Sequence, residues 1–306
     1  MKVLVATEKP FAKAAVEGIK DILTKAGMET VLLEKYASSA DLLAAVADVD
    51  ALIVRSDKVT KEVVDVAANL KVVVRAGAGF DNLDLAACTA KGIVAMNTHG
   101  QNSNAVAELA LGMMVYMARN TFHAGTGTEL KGKKLGIHAY GNVGKLVARI
   151  GQGFGMEVYA FDPFVPADII EKDGVKPLAS IEELYSTCNY ISLHIPANDK
   201  TKKSINFDLL SKMPAGATLI NTARKEVIDE DGLVKLMETR QDFKYATDVA
   251  PDCHIAMEQK FSTRYFGTPK KMGAETAEAN INAGLAAANQ IVGYLKNGDK
   301  TFQVNK

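Results

Sequence analysis

The sequence predicts an α/β protein built of two doubly wound parallel sheets, and three observations support that fold class. The chain has 306 residues, a length that suggests about two domains. Short apolar runs alternate with helical patterns through both halves of the chain, which is typical of βαβ units. A glycine-rich turn at residues 141–144 lies between one apolar run and the following helical pattern, as phosphate-binding turns do.

The first hundred residues alternate strand and helix. Strands are predicted at residues 3–6, 30–33, 51–54, 72–74 and 93–96, and helices at 12–25, 42–46, 61–68 and 83–90. Ligands of such sheets collect at the carboxyl ends of the strands. Three polar clusters follow strands here and are therefore candidate binding segments: residues 55–58, 75–79 and 97–100.

The second half repeats the same plan. Ser103 is predicted to cap a long apolar helix, 105–119, that crosses between two domains. Later strands are predicted at residues 190–195, 217–222 and 245–249, followed by an irregular stretch at 251–271. A final helix at 275–295 is expected to return to the first domain. The predicted division is therefore 1–98 with 275–306, and 99–274.

Residues 134–162 contain the most informative pattern. A strand, a tight turn, a helix and a second strand that ends on Asp162 form one βαβ unit. Gly141 lets the backbone approach a pyrophosphate, and Gly144 lets helix and strand pack closely. Asp162 lies near the spacing of about 20 residues at which an acid meets the ribose hydroxyls, and it would repel a 2′-phosphate. The pattern favours NAD over NADP, although Ala139 replaces the usual first glycine. The alternative is a tight turn with no ligand.

Composition excludes several classes of function. Lys+Arg and Asp+Glu both number 36, so no overall basic surplus indicates nucleic acid. The apolar runs fall short of the ~20 residues of a membrane span, and the first residues resemble a strand and turn, not a signal peptide. Cys88, Cys188 and Cys253 lack metal-ligand spacing. We expect reduced thiols in a cytoplasmic protein without a metal.

Seven segments together resemble the D-2-hydroxyacid dehydrogenase family, in the family's order and over about residues 50 to 280. They are RAGAGFDNLDL, MNTHGQNSNAVAEL, LKGKKLGIHAYGNVG, YISLHIP, LINTARKEVID, DV at 248–249 and TPKKMGAET. The resemblance implies a flavodoxin-like substrate domain (1–98 and 275–306) and a Rossmann NAD domain (99–274), with the active site in the cleft. It also implies reversible hydride transfer between a 2-hydroxy acid and NAD, and a homodimer formed through the NAD domain. The likeness is to short members without a C-terminal serine-sensing domain.

Hydride transfer from a secondary alcohol needs a cation that holds the substrate's carboxylate and a base that takes the hydroxyl proton. Arg224, in the segment NTAR, matches the family's catalytic arginine. Its planar guanidinium suits a carboxylate. The alternative is a surface ion pair.

The base departs from the family pattern. The family has a histidine after Thr-Pro and a glutamate after the DV, and both are absent here. Lys271, or alternatively Lys270, occupies the histidine's place, and burial and nearby cations such as Arg224 would lower a lysine's reference pKa of about 10.4. The alternative is that both lysines only bind phosphate. Asp252 is considered as a group that orients the amine, but a solvated loop carboxylate is the preferred interpretation. His254 is a second candidate base, although a lone histidine in such a loop more often has no catalytic role.

Substrate recognition is predicted at the strand ends of the first domain, where charged donors for a 3-phosphate are clustered. The predicted residues are Arg55, Ser56, Lys58 and Arg75, with backbone N–H groups of Ala76, Gly77 and Ala78 for the carboxylate. Asp57 argues against this site because it adds a negative charge. The alternative is that these are ordinary surface charges.

The resemblance also implies the NAD contacts, and Asp248 would accept from the nicotinamide amide. The implied contacts are Ala78, Gly141, Asn142, Val143, Gly144, Asp162, Ile195, Thr222, Ala223, Asp248 and Gly273. The expected substrate is a phosphorylated 2-hydroxy acid. Two alternatives stay open: a reductase of glyoxylate or hydroxypyruvate, and an NAD-sensing binding protein like the family's corepressors.

Overall fold

The computed structural model describes residues 1–305, which form two compact units. Unit 1 contains Met1–Asn102 and the segment that begins at Glu275, and unit 2 is Ser103–Ala274. Thr98, where the sequence suggested a boundary, donates its N–H to the carbonyl oxygens of Arg75 and Gly77. The change of unit comes after Asn102.

Twelve strands and twelve α-helices of the described residues build these units. The strands are β1 (Lys2–Thr7), β2 (Glu29–Glu34), β3 (Ala51–Val54), β4 (Val72–Arg75), β5 (Val94–Asn97), β6 (Lys134–His138), β7 (Glu157–Phe161), β8 (Lys176–Pro177), β9 (Tyr190–Leu193), β10 (Thr218–Asn221), β11 (Lys244–Thr247) and β12 (Tyr265–Gly267). The helices are α1 (Lys13–Lys25), α2 (Ser39–Val46), α3 (Lys61–Val66), α4 (Leu85–Ala90), α5 (Ser103–Ala118), α6 (Asn142–Gly153), α7 (Ala167–Lys172), α8 (Ile181–Thr187), α9 (Phe207–Ser211), α10 (Glu230–Thr239), α11 (His254–Phe261) and α12 (Ala277–Asn297).

Unit 1 contains a parallel five-stranded sheet in the order β2-β1-β3-β4-β5. Its central strands β1, β3 and β4 are largely apolar because they are buried on both faces. Val3 faces a cluster with Ile19 and Ile291, and Leu4 faces the opposite cluster with Leu52. The strand order reverses between β1 and β3, and the carboxyl ends of these two strands are where a ligand of this fold is expected.

Unit 2 contains a parallel seven-stranded sheet in the order β12-β11-β10-β9-β6-β7-β8. Leu135 of β6 pairs with Val158 of β7 on one side and with Tyr190 of β9 on the other. The order therefore reverses at β6, the strand before the glycine-rich turn. Helix α5 is apolar on most sides, as expected of a buried helix. Its Met113 and Met114 lie in the same hydrophobic cluster as side chains of β6. The predicted fold class is confirmed for both units.

Two local predictions are wrong. Residues 251–271 are not irregular, since they contain α11 and β12. Only Met257 and Phe261 of α11 are buried, and β12 is three residues long, so neither element has a clear hydrophobic period. Ser103 does not cap α5: it is the first residue of that helix and is buried. Among the described residues, no helix is both long and apolar enough to cross a membrane.

Candidate active site

The glycine-rich turn of unit 2 is shaped by close backbone contacts. Ala139 follows β6 with φ +79°, a conformation that costs a residue with a Cβ about 1–2 kcal/mol. A Cβ on Gly144 would lie 2.3 Å from the Ala139 carbonyl oxygen, so this position requires glycine. Helix α6 begins at Asn142 after Gly141, and no side chain caps its first N–H groups. Those N–H groups suit a phosphate, as the sequence predicted.

Asp162 lies at the end of β7, next to this turn. Its Oδ2 accepts from the N–H of Tyr140 at 2.8 Å, and its Oδ1 accepts from the N–H of Phe164 at 2.8 Å. The two bonds fix the carboxylate while leaving lone pairs on both oxygens, since an ionised carboxylate has about four acceptor sites. This half-exposed acid fits a pair of ribose hydroxyls.

Asp248, just after β11, is fully buried. Its Oδ2 accepts from the N–H of Gly273 at 2.7 Å, while its Oδ1 and the hydroxyl of Thr222 have no hydrogen-bond partner within the described residues. Buried acceptors without partners are costly, and a carboxamide would satisfy them. Burial raises the pKa of Asp248, against the backbone donors of residues 272 and 273 and the charges of Lys271 and Arg224. These residues fit the nicotinamide end of NAD.

Arg224 lies on the turn after β10, and hydrogen bonds of the Asn221 side chain fix this turn. The Asn221 amide donates to the Arg224 carbonyl oxygen at 2.9 Å and accepts from the N–H of Ala223 at 3.0 Å. The Arg224 side chain is exposed, and its Nη1 donates to the Ala223 carbonyl oxygen at 2.8 Å. The remaining guanidinium donors are suited to a carboxylate.

The two candidate lysines lie on the loop after β12. The N–H of Thr268 donates to Thr247 O at 3.0 Å, and its hydroxyl donates to Lys270 O at 2.7 Å. Lys271 is among the charges that act on Asp248, together with Arg224. Both lysines are exposed, so the expected burial of the lysine is wrong for this structure.

The two auxiliary candidates have other partners. The Asp252 side chain is largely exposed, and its carboxylate accepts from Nζ of Lys225 at 2.5 Å. His254 places Nδ1 at 2.7 Å from the Tyr265 hydroxyl and stacks edge-on against that ring. His254 therefore packs within the segment that contains α11 and β12.

In unit 1, Arg55 follows β3, and three hydrogen bonds fix its guanidinium. Nη1 donates to the carbonyl oxygens of Lys9 at 3.4 Å and Pro10 at 3.3 Å, and Nη2 donates to Oδ1 of Asn280 at 2.7 Å. The guanidinium also lies over the ring of Phe11, 5.4 Å from its centroid. Ser56 and Lys58 beside it are exposed.

Arg75, at the end of β4, lies close to Arg55. Its Nε donates to the Arg55 carbonyl oxygen at 2.9 Å, and its Nη1 donates to Gly79 O at 3.3 Å. Burial lowers the pKa of Arg75; the Asp81 carboxylate opposes that shift and the Arg55 charge adds to it. A Cβ on Gly77 would lie 2.1 Å from Nη1 of Arg75, so the glycine makes room for the guanidinium. Two neighbouring cations favour an anion here.

Asp57 does not oppose this site in the way the sequence suggested. It is buried, and its carboxylate accepts from the N–H of Glu8 at 2.6 Å, the Tyr36 hydroxyl at 2.7 Å and the N–H of Arg55 at 3.2 Å. A second correction concerns Ala76, whose N–H donates to Val54 O at 2.8 Å. That N–H is therefore committed to the sheet and is not offered to a carboxylate.

Residues 105–265 match the family model described as "D-isomer specific 2-hydroxyacid dehydrogenase, NAD binding domain". The chain belongs to the D-2-hydroxyacid dehydrogenase family. As a member, this dehydrogenase has the family's NAD-binding domain in unit 2 and uses NAD as its cofactor.

Named relatives include enzymes of two activities. This dehydrogenase is 38% identical to D-3-phosphoglycerate dehydrogenase 2, chloroplastic, of Arabidopsis thaliana, over 88% of the chain and 45% of that protein. It is 33% identical to hydroxypyruvate reductase of Thermotoga maritima, over 86% of the chain and 90% of that protein. The chain thus spans about half the length of the plant relative.

The solved structures agree. The NAD⁺-bound 3-phosphoglycerate dehydrogenase of Entamoeba histolytica is 49% identical, with a TM-score of 0.86 over 100% of this chain and 99% of that one. D-2-hydroxyisocaproate dehydrogenase, 20% identical with a TM-score of 0.84 over 100% of both chains, shares the fold.

The structure brings the predicted NAD residues of this dehydrogenase to the carboxyl ends of five strands in unit 2. Strand β6 is followed by Gly141, Asn142, Val143 and Gly144, and β7 is followed by Asp162. Strand β9 is followed by Ile195, and β10 by Thr222 and Ala223. Strand β11 is followed by Asp248, whose partner Gly273 lies after β12. Ile195, Thr222 and Ala223 are buried. Ala78 lies in unit 1, where its carbonyl oxygen accepts from the Asn97 amide at 2.6 Å.

Sequence reasoning placed Asn97 in a candidate binding segment but assigned no supporting role to the asparagines that hold these segments. Asn97 and Asn221 are the last residues of β5 and β10, and a polar amide at the end of an apolar run was a usable signal. Asn82 donates to the carbonyl oxygen of Asp57 at 2.7 Å. Asn280 lies within α12 and reaches Arg55 across 225 residues of sequence, which no local pattern indicates.

Proposed function

We propose that this dehydrogenase oxidises 3-phospho-D-glycerate to 3-phosphohydroxypyruvate with NAD, and reverses that reaction, at the entry to serine synthesis. The observation that carries the proposal is the pair of arginines at the carboxyl ends of the neighbouring strands β3 and β4 in unit 1, where Nε of Arg75 donates to the Arg55 carbonyl oxygen at 2.9 Å and Asp57 is turned into the interior. In this proposal unit 1 is the substrate domain, and its phosphate ligands are Arg55, Arg75, Ser56 and Lys58. The plant and Entamoeba relatives with that activity support the same substrate.

Arg224 is proposed to bind the substrate's carboxylate and to polarise its C2 oxygen. Bound NAD supplies the acceptor or donor of a hydride. The planar fork of Arg224 pairs with a carboxylate through parallel N–H bonds, which orients C2. Asn221 supports this task because its amide fixes the turn from which Arg224 projects.

Lys271 is proposed as the acid–base residue. In keto-acid reduction the ammonium of Lys271 gives a proton to the C2 oxygen as the hydride reaches C2. In the oxidation, the uncharged amine takes the hydroxyl proton. Lys271 is favoured over Lys270 because it lies two residues before Gly273, whose N–H donates to Oδ2 of Asp248 at 2.7 Å, and because its charge acts on Asp248.

The deciding experiment measures NADH oxidation with 3-phosphohydroxypyruvate, hydroxypyruvate and glyoxylate in parallel. We expect kcat/KM for the phosphorylated acid to exceed the values for hydroxypyruvate and glyoxylate at least tenfold. The reason is that two arginine cations form charge-assisted hydrogen bonds with its phosphate. Equal or better turnover of hydroxypyruvate would reject the proposed substrate.

A hydroxypyruvate reductase is the second candidate, favoured by the Thermotoga relative, of which the chain covers 90%. The absence of the family's histidine and glutamate favours a third: a protein that binds NADH without turnover, which the same assay combined with an NADH titration would reveal.

A cytoplasmic homodimer formed through unit 2 completes the proposal. Cys88, Cys188 and Cys253 are all free thiols, as expected of a reducing compartment. Phe122 of unit 2 is 70% exposed and lies edge-on to Tyr116, and we propose this exposed aromatic ring as a point of contact in the dimer. The mass in solution tests the dimer: we expect the wild type at twice the chain mass and Phe122→Ser shifted toward the monomer.

A further inference from the structure

Asn280 occupies the first turn of α12, where its side-chain amide has two partners. The amide Nδ2 donates to the Thr276 carbonyl oxygen at 2.9 Å, and Oδ1 accepts from Nη2 of Arg55 at 2.7 Å. Thr276 caps the same helix through its hydroxyl, which accepts from the Ala279 N–H at 3.1 Å. The amide is therefore fixed at one end by the helix start and offers its oxygen to Arg55.

Arg55 uses only part of its hydrogen-bonding capacity on the protein. A guanidinium carries five N–H donors. Three bonds go to Lys9 O, Pro10 O and Asn280, and these hold the group over the ring of Phe11, with Cζ 5.4 Å from the ring centroid. The Nε–H and one Nη2–H are left over, which is the number that a phosphate accepts from one arginine in a bidentate contact.

The chemistry of the Asn280 acceptor matters as much as its position. An amide oxygen holds the guanidinium without cancelling its charge, whereas a carboxylate at the same place would form an ion pair. Arg75 lies next to Arg55 in the fold, since its Nε donates to the Arg55 carbonyl oxygen at 2.9 Å, and two cations of neighbouring strand ends favour an anion between them. A neutral acceptor keeps both charges available to that anion.

We infer that Asn280 is a positioning residue that fixes the Arg55 guanidinium for a phosphate group and thereby sets the preference for phosphorylated over unphosphorylated keto acids. This inference rests on the proposed function. Asn280 acts through Arg55 and is not itself a phosphate ligand. Its loss increases the freedom of a side chain with a large conformational entropy, which must then be ordered again at each binding event.

The test compares Asn280→Ala and Asn280→Asp with the wild type. Asn282→Ala is the matched control, since Asn282 is an exposed asparagine of the same helix. Each variant is assayed for NADH-dependent reduction of 3-phosphohydroxypyruvate and of hydroxypyruvate, and its Tm is measured. We expect Asn280→Ala to lower the ratio of the two kcat/KM values about tenfold or more, mainly through KM of the phosphorylated acid.

Asn280→Asp tests the charge of the acceptor. The carboxylate keeps an acceptor for Nη2 of Arg55 but forms an ion pair with it and lacks the donor to Thr276 O, so we expect the same loss of phosphate preference. Hydroxypyruvate turnover should stay within twofold of the wild type in both variants. An unchanged ratio in both, or an equal fall for both substrates with a lower Tm, would overturn the inference.

Arg55→Met distinguishes this failure from failure of the proposed function. If the wild type shows no preference for the phosphorylated acid, the proposed substrate is rejected and the inference with it. If the wild type shows the preference, Arg55→Met abolishes it and both Asn280 variants retain it, then only the inference about Asn280 is rejected.

Discussion

The backbone N–H of Gly273 donates to Oδ2 of Asp248 at 2.7 Å. This bond ties the loop that contains Lys271 to the carboxyl end of β11, and the contact is so close that a Cβ on Gly273 would lie 2.8 Å from the same oxygen. The other carboxylate oxygen is buried without a partner within residues 1–305. One buried acid thus anchors the proposed catalytic loop and presents an acceptor toward the expected nicotinamide.

Asp248→Asn should separate these two tasks. The asparagine oxygen can still accept from Gly273, but its NH₂ then replaces the acceptor that the carboxamide needs. We expect the Kd for NADH to rise about tenfold or more, the usual effect of losing a hydrogen bond to a charged group, with little change in Tm. Fluorescence titration of NADH measures this, with Asp168→Asn on the exposed face of α7 as control. Unchanged NADH affinity would show that Oδ1 does not meet the cofactor.

Replacing each candidate lysine by methionine tests the acid–base assignment. Lys271→Met should lower kcat for keto-acid reduction by about 100-fold or more, the lower end of general acid–base effects, with NADH affinity retained. Lys270→Met is the natural control, because it changes the neighbouring exposed residue of the same loop, and we expect an effect within threefold. A larger loss for Lys270→Met than for Lys271→Met would reverse the assignment.

His138 is buried in unit 2 and so is Nε2 of the half-buried His194, and these two histidines predict how the stability of unit 2 changes with pH. Burial lowers the pKa of His138 from 6.5 to about 4 and that of His194 to about 3. Because these folded-state values lie below the unfolded one, the unfolded chain binds protons first as the pH falls. Stability is therefore full above about pH 6.5 and is lost progressively toward pH 4, on the order of 2 kcal/mol per histidine at pH 5.

Urea unfolding at pH 7.5 and pH 5 measures that loss. His138→Gln removes one of the two groups and should make the free energy of unfolding less dependent on pH. His123→Gln, at an exposed histidine, should leave the dependence as in the wild type. A pH dependence that is the same in both variants would contradict the assignment.

Ala139→Gly should stabilise the protein. Ala139 has φ +79°, which a glycine adopts without the steric cost of a Cβ. The gain, about 1–2 kcal/mol, is partly offset by the greater freedom of glycine in the unfolded chain, so we expect a net increase of roughly 0.5–1 kcal/mol. Ala148→Gly within α6 serves as control and should destabilise by about 1 kcal/mol. A loss of stability in Ala139→Gly would show that the alanine relieves the turn in another way.

The amino-acid sequence alone determined the two sheets, the NAD fingerprint and most of the candidate site. Parallel strands that are buried on both faces are largely apolar, so β1, β3 and β4 can be recognised in the sequence as runs of apolar residues. The turn before α6 and the acid at Asp162 are close in sequence, and their spacing follows from the length of one βαβ unit. The segment with α11 and β12 was missed because its few buried residues give no period.

Only the tertiary structure decided which polar groups face each other. It directed Asp57 into the interior, engaged Ala76 N–H in the sheet, paired Asp252 with Lys225 and left the side chains of Lys270 and Lys271 exposed. It also joined Asn280 to Arg55. Hydrophobic periodicity records burial along one element, whereas a hydrogen bond depends on two atoms within about 3 Å that the chain brings together from distant positions.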